Sequence, residues 1–147
     1  MAPIVESIEI SRRAEDVFPY VSDPSHLPEW QESVVSARRE DDAPDAVGSK
    51  AVVTRRIGRR EQVMTAEVTV NPPSSWAVRG TDGPVRGMAK GTIEPLADGR
   101  RSRVTIALDF EGHGFGRLLV PLVVRRQARA EMPRNLQKLK EQLEGGA

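Results

Sequence analysis

The sequence predicts an α+β domain in which a curved, seven-stranded antiparallel sheet wraps around one long C-terminal helix, with two short helices after the first strand. Three observations carry this expectation. Residues 4–10 alternate with the period of a strand, and two short helical patterns follow at once. Six more strand-like runs come next, separated by turn-forming residues, and short connections of that kind make neighbouring strands antiparallel. From Gly116 to about Leu143 the apolar residues recur with a helical period.

In the first strand Ile4, Glu6, Ile8 and Ile10 share one face and Val5, Ser7, Glu9 and Ser11 the other. Ala14 to Ser22 reads as a helix: Glu15 and Asp16 suit its N-terminal dipole, and Val17, Phe18 and Val21 meet on one side. Asp23-Pro24 reads as an N-cap followed by proline at the first helical position, opening a second short turn through Leu27 towards Trp30.

The six runs lie near residues 31–38, 48–57, 61–70, 75–80, 85–94 and 102–111. Between them stand Asp41 to Gly48, Gly58-Arg59-Arg60, Asn71-Pro72-Pro73, Thr81-Asp82-Gly83-Pro84 and Ala97-Asp98-Gly99, all rich in residues that suit tight turns. The last run is the plainest, with Val104, Ile106, Leu108 and Phe110 alternating against Arg103, Thr105, Ala107 and Asp109. In the run before it Gly87, Ala89 and Gly91 share a face with almost no side-chain volume, which leaves room for a bulge, a bend or a bound molecule.

The final helix carries Leu118, Leu122, Met132, Leu136, Leu139 and Leu143 near one stripe, and Gly145-Gly146 as its stop. Pro133 removes a backbone donor and crowds the carbonyl of Arg129, so a kink is expected near residues 129–133. Arg125, Arg126, Arg129 and Arg134, with Lys138 and Lys140, form a basic surface beside the apolar one. That surface reads chiefly as the solvated side of the helix, with contact to an anionic membrane as the alternative.

Composition fits one domain over residues 1–147: 38% of residues are hydrophobic and 29% charged. With 22 Lys plus Arg against 21 Asp plus Glu the net charge is +1, so no global field draws the chain to nucleic acid. There is no cysteine, and only His26 and His113 supply imidazoles; disulfides, thiolate nucleophiles and a His-rich zinc site are therefore not expected, and no cofactor is. The longest apolar run, Leu118 to Val124, is far short of a bilayer span, and no secretory leader is apparent. A cytoplasmic protein without stable membrane insertion, monomer or homodimer, is the expectation.

Several segments stand out together: Val5-Glu6-Ser7-Ile8-Glu9-Ile10, Val17-Phe18-Pro19-Tyr20-Val21-Ser22-Asp23-Pro24 running into Leu27-Pro28-Glu29-Trp30-Gln31, and Gly58-Arg59-Arg60 before a strand ending in Asn71-Pro72-Pro73. Phe115-Gly116-Arg117-Leu118-Leu119-Val120-Pro121-Leu122, leading into Asn135-Leu136-Gln137-Lys138-Leu139-Lys140, completes them. With these segments the chain resembles the START-like superfamily, also called SRPBCC, and within it the polyketide cyclase/dehydrase-like group. The resemblance implies the helix-grip fold and a largely apolar cavity between sheet and helix. It also implies a small hydrophobic ligand such as a lipid, a quinone or a polyketide-like metabolite. The alternative activity is that of an aromatase/cyclase or dehydratase in the same cavity.

Candidate site residues follow. Glu6, among isoleucines, is either an acid, base or anchoring group with a raised pKa or an edge residue meeting water or an arginine such as Arg79 or Arg86. His113, in the glycine-rich run Glu111 to Gly116 with Phe115, is a gate or acid–base candidate beside the reading of a solvated loop histidine. Trp30 and Trp76 suit stacking on a ring, or core packing. Met64, Met88, Phe110, Leu118 and Leu122 are cavity-lining candidates, with ordinary core as the other reading. Arg55, Glu61, Arg79 and Arg101 are taken as outward strand positions.

Overall fold

The computed structural model describes residues 3–39, 49–71 and 74–145. Strand β1 (Ile4–Ile10) leads into helix α1 (Ala14–Val21), a 3₁₀ turn (Pro24–His26) and the single-turn helix α2 (Leu27–Trp30). Strands β2 (Val34–Arg39), β3 (Ser49–Ile57), β4 (Arg60–Asn71), β5 (Ser75–Gly80), β6 (Val85–Leu96) and β7 (Arg101–Gly112) follow. They form one sheet in the order β1-β7-β6-β5-β4-β3-β2, with every neighbouring pair antiparallel. The long helix has three parts: α3 (Gly116–Leu119), a π-helical turn (Val120–Val124) and α4 (Arg125–Gly145).

Local chemistry accounts for the joints. Asp23 caps the 3₁₀ turn, its carboxylate accepting from the Ser25 amide at 3.0 Å while Pro24 occupies the first turn. Gly58 (φ +62°) and Gly83 (φ +86°) turn their hairpins through the left-handed region that favours glycine. The turns expected at Asp41–Gly48 and Pro72-Pro73 lie outside the described residues.

The core joins α1, the inward face of the sheet and α4. Ile10, Val17, Val104 and Leu139 are fully buried, and Phe18 meets Trp76 edge-on at 6.5 Å between ring centres. The small face of β6 has two uses. At Gly91 it admits Trp76, whose indole occupies the space a Cβ would need; Gly87 and Ala89 border open volume instead.

The helix departs from expectation in one way. Its α-helical pattern runs unbroken through Pro133, and the irregularity lies upstream at Val120–Val124, where the Arg125 amide bonds the Val120 carbonyl in a wide i→i−5 turn. Pro121 sits in that turn and cannot supply the amide that an α-helix would direct at the Arg117 carbonyl. The extra residue shifts everything upstream by about 100° around the axis, one residue's worth of helix rotation. Leu118 and Leu122, in phase with Met132 and Leu136 on a straight helix, consequently face outward.

Candidate functional site

Between the sheet and α4 lies a cavity of about 160 Å³. Its floor and walls are mostly apolar: Ala51, Val53 and Ile57 from β3, Met64, Ala66 and Val68 from β4, Trp76 and Val78 from β5, Ile106, Leu108 and Phe110 from β7. Alternation places these residues on the inward face of each strand. From the other side α4 and its lead-in supply Val124, Ala128, Met132 and Leu136.

Polar groups gather where β3 faces α4. Arg55 lies on the inward face with Ala51, Val53 and Ile57, which corrects its expected outward position. Inward parity overrides side-chain type here because the guanidinium finds acceptors: it donates to Ser33 Oγ and to Gln31 Oε1, both at 3.0 Å. Burial lowers its pKa, with the Glu131 carboxylate pulling the other way, and a guanidinium so placed stays charged at neutral pH. No carboxylate comes within ion-pair distance of it among the described residues. Two neutral acceptors use only part of its five-donor fork.

Opposite it, Gln127, Glu131 and Asn135 rise at four-residue intervals along α4, which puts them on one face. Gln127 accepts from the Gly58 amide at 2.9 Å and donates to the Arg56 carbonyl at 2.9 Å, clamping the β3–β4 hairpin to the helix. It also donates to Glu131 Oε2 at 3.3 Å. Asn135 accepts from the Glu32 amide at 3.0 Å and fixes the entry to β2. Trp30 borders the same cavity, and its Nε1–H is buried without an acceptor among the described residues. An unpaired donor of this kind invites a ligand oxygen or a water.

Burial lifts the Glu131 carboxyl above its ordinary range and Glu32 adds to the lift, outweighing the downward pull of Gln127, Arg55 and Arg134. Relative to the unfolded chain, the folded state therefore shifts this group towards its protonated form. From the ordinary carboxylate range up to the raised value the folded protein holds more protons than the unfolded one, so this group's contribution to stability falls as pH rises through that window. Glu131→Gln should match the wild type near pH 4 and become the more stable of the two towards pH 7, read by urea denaturation across the range. A gap independent of pH, or a less stable variant at pH 7, would exclude this origin.

The sequence candidates divide clearly. Trp30, Met64, Trp76 and Phe110 line the cavity, and Met88 borders it from the opposite parity to Gly87 and Ala89, 37% exposed. Glu6 is half-buried on the inward face of β1, an edge strand, and outside the cavity lining; Arg79 pairs instead with Glu67 at 3.7 Å. His113 lies in the loop before α3, its Nε2 2.9 Å from a Glu111 carboxylate oxygen, and neither it nor Phe115, Leu118 or Leu122 lines the cavity. Arg125, counted with the solvated surface, is 5% exposed and reaches Asp109 at 3.4 Å. Among the described residues no three His, Asp or Glu side chains converge as a metal site requires, and no helix is long and apolar enough to cross a membrane.

Comparison with known proteins bears on the same fold. A family model described as "Polyketide cyclase / dehydrase and lipid transport" matches residues 1–144. Among solved structures, a START superfamily protein from Mycobacterium smegmatis superposes with a TM-score of 0.78 at 16% identity, covering 100% of both chains. The Zhui aromatase/cyclase from Streptomyces sp. R1128 gives 0.76 at 12% identity, covering 99% of this chain and 97% of that one. The di-domain ARO/CYC BexL from the BE-7585A biosynthetic pathway gives 0.75 at 14% identity over 98% of this chain, which spans 47% of its length. No curated protein matches by sequence.

Proposed function

The chain belongs to the polyketide cyclase / dehydrase and lipid transport family, and from that premise we propose that it binds a small, largely apolar molecule between sheet and helix, oriented by an oxygen acceptor held against Arg55. The observation that carries this reading is the division of the cavity wall. One part is built from aliphatic side chains, Met64, Trp76 and Phe110, and the other brings Arg55, Gln31, Ser33, Gln127, Glu131 and Asn135 together. Sites that select small molecules combine an apolar lining with a few placed polar groups in this manner. The cavity volume, about 160 Å³, is close to that of an engineered apolar cavity that admits benzene, so ring-sized bodies fit.

A fluorescent carboxylate such as 2-naphthoate tests the reading, since its rings suit the apolar wall and its carboxylate suits Arg55. The wild type should take it up at one site per chain. Ala66→Phe adds a ring on the inward face of β4, where Ala66 is buried in the lining, and should abolish uptake while leaving the protein folded by near-ultraviolet circular dichroism. Uptake undiminished in Ala66→Phe would remove the cavity as the site. Native mass spectrometry of freshly purified protein, compared with its denatured mass, would identify a co-purifying ligand.

A second reading, cyclisation or dehydration of a polycarbonyl chain, is favoured by one observation. Glu131, its carboxyl lifted by burial, borders the same cavity as the Arg55 guanidinium. A carboxyl whose protonated form is favoured by burial, opposite a fixed positive charge that stabilises an enolate oxygen, is the minimum such chemistry needs.

A further inference from the structure

The outer surface of the segment from Phe115 to Arg129 serves no purpose in the cavity. Phe115, Leu118 and Leu122 are 65%, 67% and 67% exposed, and Pro121 is exposed between them. Their exposure is enforced from beneath. Val120 and Val124 are buried with Ile57 and Val85 in a small cluster, against which Leu119 and Val123 also pack, and Gly116 is pressed against Pro84. Rolling the leucines inward would open that cluster. Large apolar side chains grouped on a surface mark a contact with something outside the chain.

The same ridge becomes basic as it continues. Arg126 and Arg129 follow Leu122 at four and seven residues, are exposed, and take part in no ion pair among the described residues. With Pro121 and Arg125 they line a shallow surface pocket. Arg125 leans on Asp109 at 3.4 Å, and the nearby Glu111 carboxylate sits 2.9 Å from His113, so the acidic groups at this end are already engaged. The pocket presents guanidinium groups to the outside, and their planar fork matches phosphate oxygens.

We propose that this face docks the protein on an anionic lipid bilayer, with Phe115, Leu118 and Leu122 entering the boundary between headgroups and acyl chains and Arg126 and Arg129 holding lipid phosphates. Apolar residues flanked by arginine on one helical face have the form of an interfacial segment, which lies on a membrane rather than crossing it. The single sign of charge favours an anionic lipid surface over a protein partner, and the leucines distinguish a bilayer from free phosphate. The π-helical turn then faces both ways: Val124 belongs to the cavity wall and Leu122 to the docking surface. The docking itself does not depend on what the cavity holds.

Co-sedimentation of the full chain with vesicles tests this, using phosphatidylcholine alone and phosphatidylcholine mixed with phosphatidylglycerol. Partitioning should be roughly tenfold or more stronger onto the anionic vesicles and should fall steeply with added salt. The pair Leu118→Ser/Leu122→Ser and the pair Arg126→Glu/Arg129→Glu should each reduce it by a similar factor. All four positions are exposed, and thermal melts check that the variants fold; the salt and lipid dependence of the wild type stands without them. Equal affinity for both vesicle types, no affinity for either, or indifference to both pairs would overturn the proposal. So would a solution dimer dissociated by the leucine pair, which would assign the ridge to a second copy of the chain.

Discussion

Arg55→Met should weaken 2-naphthoate binding by roughly 10- to 100-fold, the range of a hydrogen-bonded interaction with a buried charge. The variant should bind 2-methylnaphthalene, which keeps the ring body and lacks the carboxylate, as well as the wild type does. Methionine occupies the length of the arginine stem and removes only the donors, so the apolar lining stays filled. Stability should change little, because a charge held in a low-dielectric wall by two neutral acceptors, Ser33 Oγ and Gln31 Oε1, is replaced by an apolar side chain. Arg56→Met is the matched control: Arg56 is exposed on the other face of β3, 3.7 Å from Glu61, and its loss should alter neither ligand's affinity. If Arg55→Met and the wild type hold naphthoate equally, the polar end of the cavity does not orient ligands.

Arg55 also shows where the sequence stops being legible. The fold follows from alternation and turns: β1 spans Ile4–Ile10 as expected, and the six later strands fall within a few residues of their expected limits. Met64, Trp76 and Phe110 lie on inward faces that alternation alone specifies. In β3 the same rule, continued from Ala51 and Val53 to Ile57, puts Arg55 inside. Hydropathy argues for the outside, and only the acceptors on Gln31 and Ser33, 24 and 22 residues away, decide the conflict. Gln127, Glu131 and Asn135 carried a weaker signal, three polar residues at i, i+4 and i+8 interleaved with Val124, Ala128, Met132 and Leu136. Leu118 and Leu122 carried a misleading one, since a single π turn moves them out of phase and no periodicity count assumes it. Long-range hydrogen bonds and local helix defects are the two kinds of information that residue patterns do not hold.

Gly116→Ala should cost about 3 kcal/mol and lower the melting temperature by roughly 6–12 °C. A Cβ on Gly116 would strike the carbonyl of Pro84 in the β5–β6 hairpin, and one on Gly112 would strike the carbonyl of Gly116 itself. Both obstacles are backbone, so no rotamer change relieves them. The loop is further pinned by the His113 amide donating to the Pro84 carbonyl at 2.8 Å and the Gly116 amide donating to the His113 carbonyl at 3.0 Å. Any accommodation must therefore move the hairpin or the start of α3. Gly114→Ala separates this effect from a general intolerance of the loop: its φ is +60° but a Cβ there meets nothing, so only backbone strain of about 1 kcal/mol should appear. The displacement would reach function as well. Val120 and Val124 follow Gly116 into the small cluster with Ile57 and Val85, and Ile57, Val85 and Val124 line the cavity. Folded Gly116→Ala protein should hence bind naphthoate more weakly than Gly114→Ala, although neither residue touches the cavity. Equal melting temperatures for the two variants would mean that the loop yields to the hairpin without strain, and the helix wall would then be free to shift with it.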